Sequence, residues 1–274
     1  MTTSDRRGVL YPARLPTFHR EPPPRELTGL VRWFWIPEWQ LAPGRTSRQE
    51  VLSFPASNLT VGADGVTLSG PTTRRSHRDL TGTGWAVGAL LRPAAVPALV
   101  GDPRAARDRQ VPFEATELHR AVTAAMSPDG DGAARRARAT AAYSAWLLDR
   151  VGPPDAEGEL ANAMEDAIAA DLGPTRVDDL AQTLGISVRS VQRLALRHVG
   201  VTPLAMIRRY RLQEAAQRLR DDPAIPIGQV AAELGYADQA HLCADFRRVL
   251  GFTPSTYRDR AGPGDDPSHP APTG

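Results

Sequence analysis

The chain has 274 residues, enough for two domains that each bury a core without metal or disulfide support. A single cysteine, Cys243, excludes an intramolecular disulfide framework, and no run approaches the ~20 apolar residues that span a bilayer. The net charge of +2 is too small to argue for a polyanionic partner, so any such argument rests on how the charge is distributed.

"MTTSDRRG" opens the chain without an apolar core of signal-peptide length behind it, and with the lone thiol this points to the cytoplasm. From there to about residue 114, short β-leaning runs such as "LVRWFWI", "EVLSF", "NLTVGADGVTLSG" and "GWAVGALL" alternate with turn residues. This texture predicts an antiparallel sandwich or small barrel. Helical periodicity then sets in with "ELHRAVTAAM" and "AARRARATAAYSAWLLDRV", separated by the breaker "SPDGDG". "GPPDAEG" reads as a linker, which places a boundary between domains 1–155 and 156–260. The last stretch, 261–274, is too rich in Pro, Gly and Asp to fold. The expected class is α+β in two domains, an antiparallel β-rich one with flanking helices and an all-α one.

An internal repeat organises the second domain. "VDDLAQTLG" at 177–185 matches "IGQVAAELG" at 227–235, and "GVTP" at 200–203 matches "GFTP" at 251–254. Each copy reads as helix, glycine turn, helix. Gly185 and Gly235 suit the left-handed position that ends the first helix, and Ser187 and Asp238 cap the second. Val191, Leu194, Ala195 and Val199 face inward in one copy, and Leu242, Phe246, Val249 and Leu250 in the other. The pattern predicts two helix-turn-helix units, over about 176–198 and 226–250. "PLAMIRRYRLQEAAQRLR" between them reads as one helix over about 203–220, roughly 25 Å long at 1.5 Å per residue.

With Val191 inward, the first unit turns Arg189, Gln192, Arg193, Leu196 and Arg197 outward. Arginine pairs with guanine O6 and N7, and glutamine with adenine N6 and N7, so this face has major-groove chemistry. The second unit turns out Ala240, Cys243, Ala244, Arg247 and Arg248, whose small residues carry no bidentate donors; its two arginines suit backbone phosphates. From Ile186 to Arg220 there are eight arginines and one acid, Glu214. Such a local excess favours phosphate contact over a merely solvated face.

These motifs, "LAQTLGISVRSVQRLALRHVGVTPLAMIRRYRLQEA" and "IGQVAAELGYADQAHLCADFRRVLGFTPSTYR", resemble the DNA-binding domain of AraC/XylS-family transcription regulators over residues 157–260. The resemblance implies seven helices and control of transcription at promoters. By position it puts base contacts on Arg189, Gln192 and Arg193 and near Gln239, Ala240 and Ala244. Phosphate contacts fall on Arg197, His241, Arg247 and Arg248. Two departures stand out: Ala195 occupies a position that is usually aromatic, and Ala244 one where some members have arginine. If the protein activates transcription, RNA polymerase is a further partner.

The first half resembles a β-rich, cupin-like sensor domain found beside AraC-type domains, through "LTGLVRWFWIPEW", "VLSFPASNLTV" and "WAVGALLRPAAVPALVGDPRAARDRQVPF". This implies effector binding, dimerisation or both. Trp33 and Trp35 share a strand face opposite Phe34, so one side is core; the cluster reads first as core packing, with the wall of an effector pocket that also takes Trp85 and Arg92 as the alternative. Tyr143, Trp146 and Leu147 either anchor a dimer helix or pack on the protein's own sheet. The six histidines are scattered, no Gly-x-Ser-x-Gly occurs, and "TGTGW" does not open a helix, so no metal, cofactor or catalytic group is assigned. Two alternatives to an effector-modulated regulator stand beside it: a ligand-independent regulator with a structural first half, and an enzyme or binding protein tethered to DNA.

Overall fold

Alternation along β2 (Val31–Gln40) decides how the first domain packs. Phe34 and Ile36 are fully buried on one face, whereas Trp33 and Trp35 turn to the other. A computed structural model describes residues 17–74, 76–127, 131–170 and 176–261. In it β1 (Thr17–Glu21), β2, β4 (Asn58–Gly62), β5 (Gly65–Ser69), β7 (Thr83–Leu91) and β8 (Gln110–Pro112) form one antiparallel sheet in the order β1-β2-β7-β4-β5-β8. β3 (Thr46–Val51) and β6 (Ser76–Thr81) make a separate two-stranded ribbon. The antiparallel prediction holds. A closed barrel does not, because β1 and β8 do not pair with each other among the described residues.

One face of the sheet is covered by α2 (Thr116–Ala125) and α3 (Gly132–Arg150), with the short α1 (Val96–Val100) beyond β7. Leu118 and Val122 of α2 and Ala139, Tyr143 and Leu147 of α3 join Phe34, Ile36, Leu59, Val61 and Val87 in one core. The buried Tyr143 hydroxyl donates to the Leu59 carbonyl at 2.8 Å, so burial does not leave it unpaired. Tyr143 and Leu147 are therefore not dimer anchors: both are fully buried in the protein's own core, and Trp146 is packed edge-on against Phe113.

The remaining helices are α4 (Ala156–Ala170), α5 (Val177–Thr183), α6 (Val188–His198), α7 (Pro203–Asp221), α8 (Ile227–Glu233), α9 (Gln239–Leu250) and α10 (Pro254–Ala261). Every position read as inward on α6 and α9 is buried. The stretch read as a linker is packed: Val151 is buried, Pro154 lies against Gly29, and Asp155 caps the first turn of α4 through the Gly158 amide at 2.7 Å. The unfolded tail expected from 261 onward lies, past Ala261, outside the described residues.

The two domains share cores. On α4, Ala161, Met164, Glu165 and Ile168 form the buried stripe, and Glu165 is the one acid in it. Its carboxylate, 2% exposed, lies 3.2 Å from Arg32 and 3.6 Å from Arg92 of the first domain, and accepts a 3.0 Å bond from the Tyr210 hydroxyl of α7. Burial pushes the Glu165 carboxyl up from the ordinary value, against the pull of Arg32, Arg92 and Tyr210. Asn162 adds two bonds across the same interface, accepting from the Ala94 amide at 3.1 Å and donating to Gly29 O at 2.8 Å.

The segment between β3 and β4 completes the join. Leu52 belongs to the core of the second helix-turn-helix unit, and Phe54 to that of the first, where it meets Trp33 and Tyr210 edge-on. Gln213 of α7, 1% exposed, donates to Leu52 O at 2.9 Å. At Gly200, which has φ +89°, a Cβ would stand 2.7 Å from Pro103 O, so this turn tolerates only glycine both for its backbone and for the approach of the first domain.

Two stability measurements follow. Leu147→Ala is expected to lower the unfolding free energy by about 2–5 kcal/mol in urea denaturation, the cost of truncating a fully buried leucine. Glu165→Ala should cost about 2–3 kcal/mol, less than the ~3–5 kcal/mol of a fully orphaned buried charge, because Asp166 still pairs with Arg32 and Arg92. A loss below about 0.5 kcal/mol in the second variant contradicts the interface described.

Candidate nucleic-acid interface

Each helix-turn-helix unit is built by the same local chemistry. Gly185 and Gly235 have φ of +65° and +68°, and each ends its first helix in the conformation an L-side chain resists. Ser187 then caps α6 through the Ser190 amide at 3.1 Å, and Asp238 caps α9 through the His241 amide at 2.7 Å. Leu180 and Ala181 of α5 pack on α6, and Val230 and Ala231 of α8 on α9. The linker helix α7 has 19 residues, about 28 Å of axis, and its N-cap Thr202 bonds the Ala205 amide.

On α6, Arg189, Gln192, Arg193 and Arg197 are exposed on one side, with Leu196 half-buried beside them. Arg189, Gln192 and Arg193 make no side-chain hydrogen bond or ion pair among the described residues, so their donors face outward uncommitted. Arg197 differs: it pairs with Glu157 of α4 at 3.0 Å. On α9, Gln239, Ala240, His241, Ala244, Arg247 and Arg248 are all exposed. Among the described residues Arg247 is uncommitted, Arg248 pairs with Asp245 at 2.8 Å, and the His241 ring meets Tyr236 edge-on. The structure therefore gathers the ten residues read as DNA-facing onto the exposed sides of two like helices, without assigning their roles.

The four residues read as an effector pocket are dispersed. Trp33 packs against the first unit's core, under the Arg20 guanidinium at 4.6 Å, and the Trp35 indole donates to Asn58 at 3.0 Å. Trp85 lies on the opposite face of the sheet, against the core beneath α2 and α3. Arg92 is spent on Asp166 at 2.5 Å and on the Asn162 carbonyl. Strand alternation separates Trp85 from the other two tryptophans, and the interdomain ion pairs take Arg92, so no single pocket joins all four.

Sequence reasoning missed the polar residues that join the domains. Their signal was present: Glu165 interrupts an apolar helical stripe, and Arg209 and Gln213 sit with Tyr210 on one side of α7. No group of His, Cys, Asp and Glu with metal-binding geometry occurs among the described residues, and no described helix is long and apolar enough to cross a membrane.

A family model described as a helix-turn-helix domain matches residues 180–260, and one described as a domain of unknown function (DUF6597) matches residues 19–112. A putative AraC-like transcription regulator of Streptomyces lividans is 31% identical over 121 residues, 44% of this chain and 38% of that protein. The RCS-specific HTH-type transcriptional activator RclR of Escherichia coli is 36% identical over 84 residues, 31% of this chain and 29% of that protein. The chain thus spans well under half the length of these relatives. Among solved structures, a probable AraC family transcriptional regulator from Rhodopseudomonas palustris is 30% identical, covering 38% of this chain and 99% of that one with a TM-score of 0.34. Residues 180–260 match a helix-turn-helix domain and are similar to regulators named AraC-like, and they follow a region, 19–112, that matches a domain of unknown function.

Proposed function

We propose that the protein regulates transcription by binding promoter DNA through both helix-turn-helix units, with α6 reading bases and α9 mainly holding the backbone. The observation that carries this is the uncommitted Arg189, Gln192 and Arg193 on one exposed side of a capped helix, repeated in architecture but not in side chains by α9. The relatives that match this domain are named as regulators, not enzymes. Base contacts are assigned to Arg189, Gln192 and Arg193, with Gln239, Ala240 and Ala244 at the second site. Arg197, His241, Arg247 and Arg248 are assigned to phosphates. Arg197 and Arg248 each exchange a carboxylate partner for the DNA, so they contribute less than Arg247.

The first domain modulates this binding through the interface at Glu165 and α7, because Leu52 and Phe54 are part of the two units' cores. A small-molecule effector or a second subunit acts by changing that interface. In the cell the partners are double-stranded promoter DNA in the cytoplasm and, for an activator, RNA polymerase.

Footprinting across sequence variants tests the division of labour. Arg193→Ala should cost about 1–3 kcal/mol on the preferred site and relax preference at one base pair. Arg247→Ala should weaken all sequences alike and reduce the slope of log affinity against log salt by about one. The reverse pattern overturns the assignment, and unchanged affinity in both variants overturns the interface.

A further inference from the structure

A cleft of about 290 Å³ opens where the Thr72–Arg74 turn of the first domain, the N-terminal half of α7 and the end of α9 meet. Arg74, Arg208, Arg209 and Arg248 line it, and among the described residues no aspartate or glutamate does. Thr73 and Thr202 add hydroxyls, and Leu212 and Val249 an apolar wall. Leu204 at its edge is 46% exposed, a large apolar side chain left in water.

Arg209 is the informative member. It is 4% exposed, and its Nη2 donates at 2.7 Å to the carbonyls of both Thr72 and Arg74, while Nε and Nη1 are buried without a partner. Among the described residues no carboxylate pairs with it. Asp108 acts on it only at a distance and is itself engaged by the Thr73 amide and by the Thr72 and Thr73 hydroxyls. Burial lowers the Arg209 pKa to about 10. A guanidinium so buried without a counter-ion is costly, and the cost falls when an anion enters the adjacent cleft. Arg208, half-buried on the next position of α7, makes no ion pair or hydrogen bond among the described residues and is available to bind that anion directly. Arg248 is held by Asp245 at 2.8 Å and is the weaker donor.

We propose that this cleft is an effector site for a small-molecule oxyanion, a phosphate or carboxylate on a short apolar body. Arg208 binds the anion, Arg209 supplies buried positive charge, and the apolar wall with Leu204 takes the body. The ligand touches the first domain, the linker helix and the second recognition helix together, so it fixes α9 against the rest of the protein. Its regulatory consequence rests on the DNA-binding reading above; its binding does not.

The test uses the full chain without DNA, by calorimetric titration and thermal unfolding with inorganic pyrophosphate and, in parallel, benzoate, against chloride at equal ionic strength. At saturation one of the two anions is expected to raise Tm by about 3–8 °C. Arg208→Gln should weaken that binding about tenfold or more, since it removes a charge-assisted bond. Leu204→Asp, at an exposed position, should weaken it too by setting a repelling carboxylate at the edge. No effect of either anion beyond chloride overturns the proposal, as does binding that neither substitution weakens. If neither anion binds and Arg208→Gln instead reduces the salt dependence of duplex binding, the arginines serve the DNA backbone, and the small-molecule site is likewise overturned. Anion binding in a protein that fails the footprinting test leaves the site standing and removes only its regulatory role.

Discussion

The buried carboxylate of Glu165 is the constraint on which the rest of the arrangement depends. It lies on α4, receives Arg32 and Arg92 from the β-domain, and accepts from Tyr210 on the linker helix, so three parts of the chain converge on one charge. An ion pair whose carboxylate is 2% exposed gains little net stability over an apolar contact, yet breaking it is costly because its partners are left charged in a poorly solvated place. Its effect is therefore on geometry more than on stability: α4, the sheet and α7 have one mutual position in which every charge is met.

That position explains why the helix-turn-helix domain does not have a closed core of its own. Leu52 and Phe54 reach from the β-domain into the second and first units respectively, on either side of α7. Ala195 stands where the resemblance leads one to expect an aromatic residue, and the cluster around it contains Phe54, Trp33 and Tyr210. Aromatic mass in the first unit thus comes partly from the other domain. The spacer helix is held at its middle, where Arg209 and Gln213 donate to carbonyls of the β-domain and Tyr210 to Glu165 of α4.

The two units share a backbone plan and divide the chemistry. Caps, turns and buried stripes are the same in both, while the outward side of α6 carries uncommitted arginine and glutamine and that of α9 carries alanines between charged residues. Several arginines have structural partners: Arg197 has Glu157, Arg248 has Asp245, and Arg218 has Glu214 and Glu233. The local excess of arginine is thus smaller as free charge than as composition, and Arg189, Arg193, Arg208 and Arg247 stand out as those without such partners among the described residues.

What the sequence determined by itself is local and periodic. Glycine turns, serine and aspartate caps, the 3.6-residue stripes of α6 and α9, and the outward placement of Arg189, Gln192 and Arg193 follow from spacing along a helix, which is a property of neighbouring residues. The antiparallel texture of the first half was legible for the same reason, through alternation of period two. The tertiary structure alone decided which faces meet. Tyr143 and Leu147 presented an apolar stripe suited equally to a partner or to the protein's own sheet, and the sheet covers them. The tryptophans looked like one cluster until pairing of β2 with β7 put Trp85 on the far side. Glu165, Arg209 and Gln213 gained their meaning from partners as far as 161 positions away or from a cleft between domains, and no period within a helix encodes such a contact.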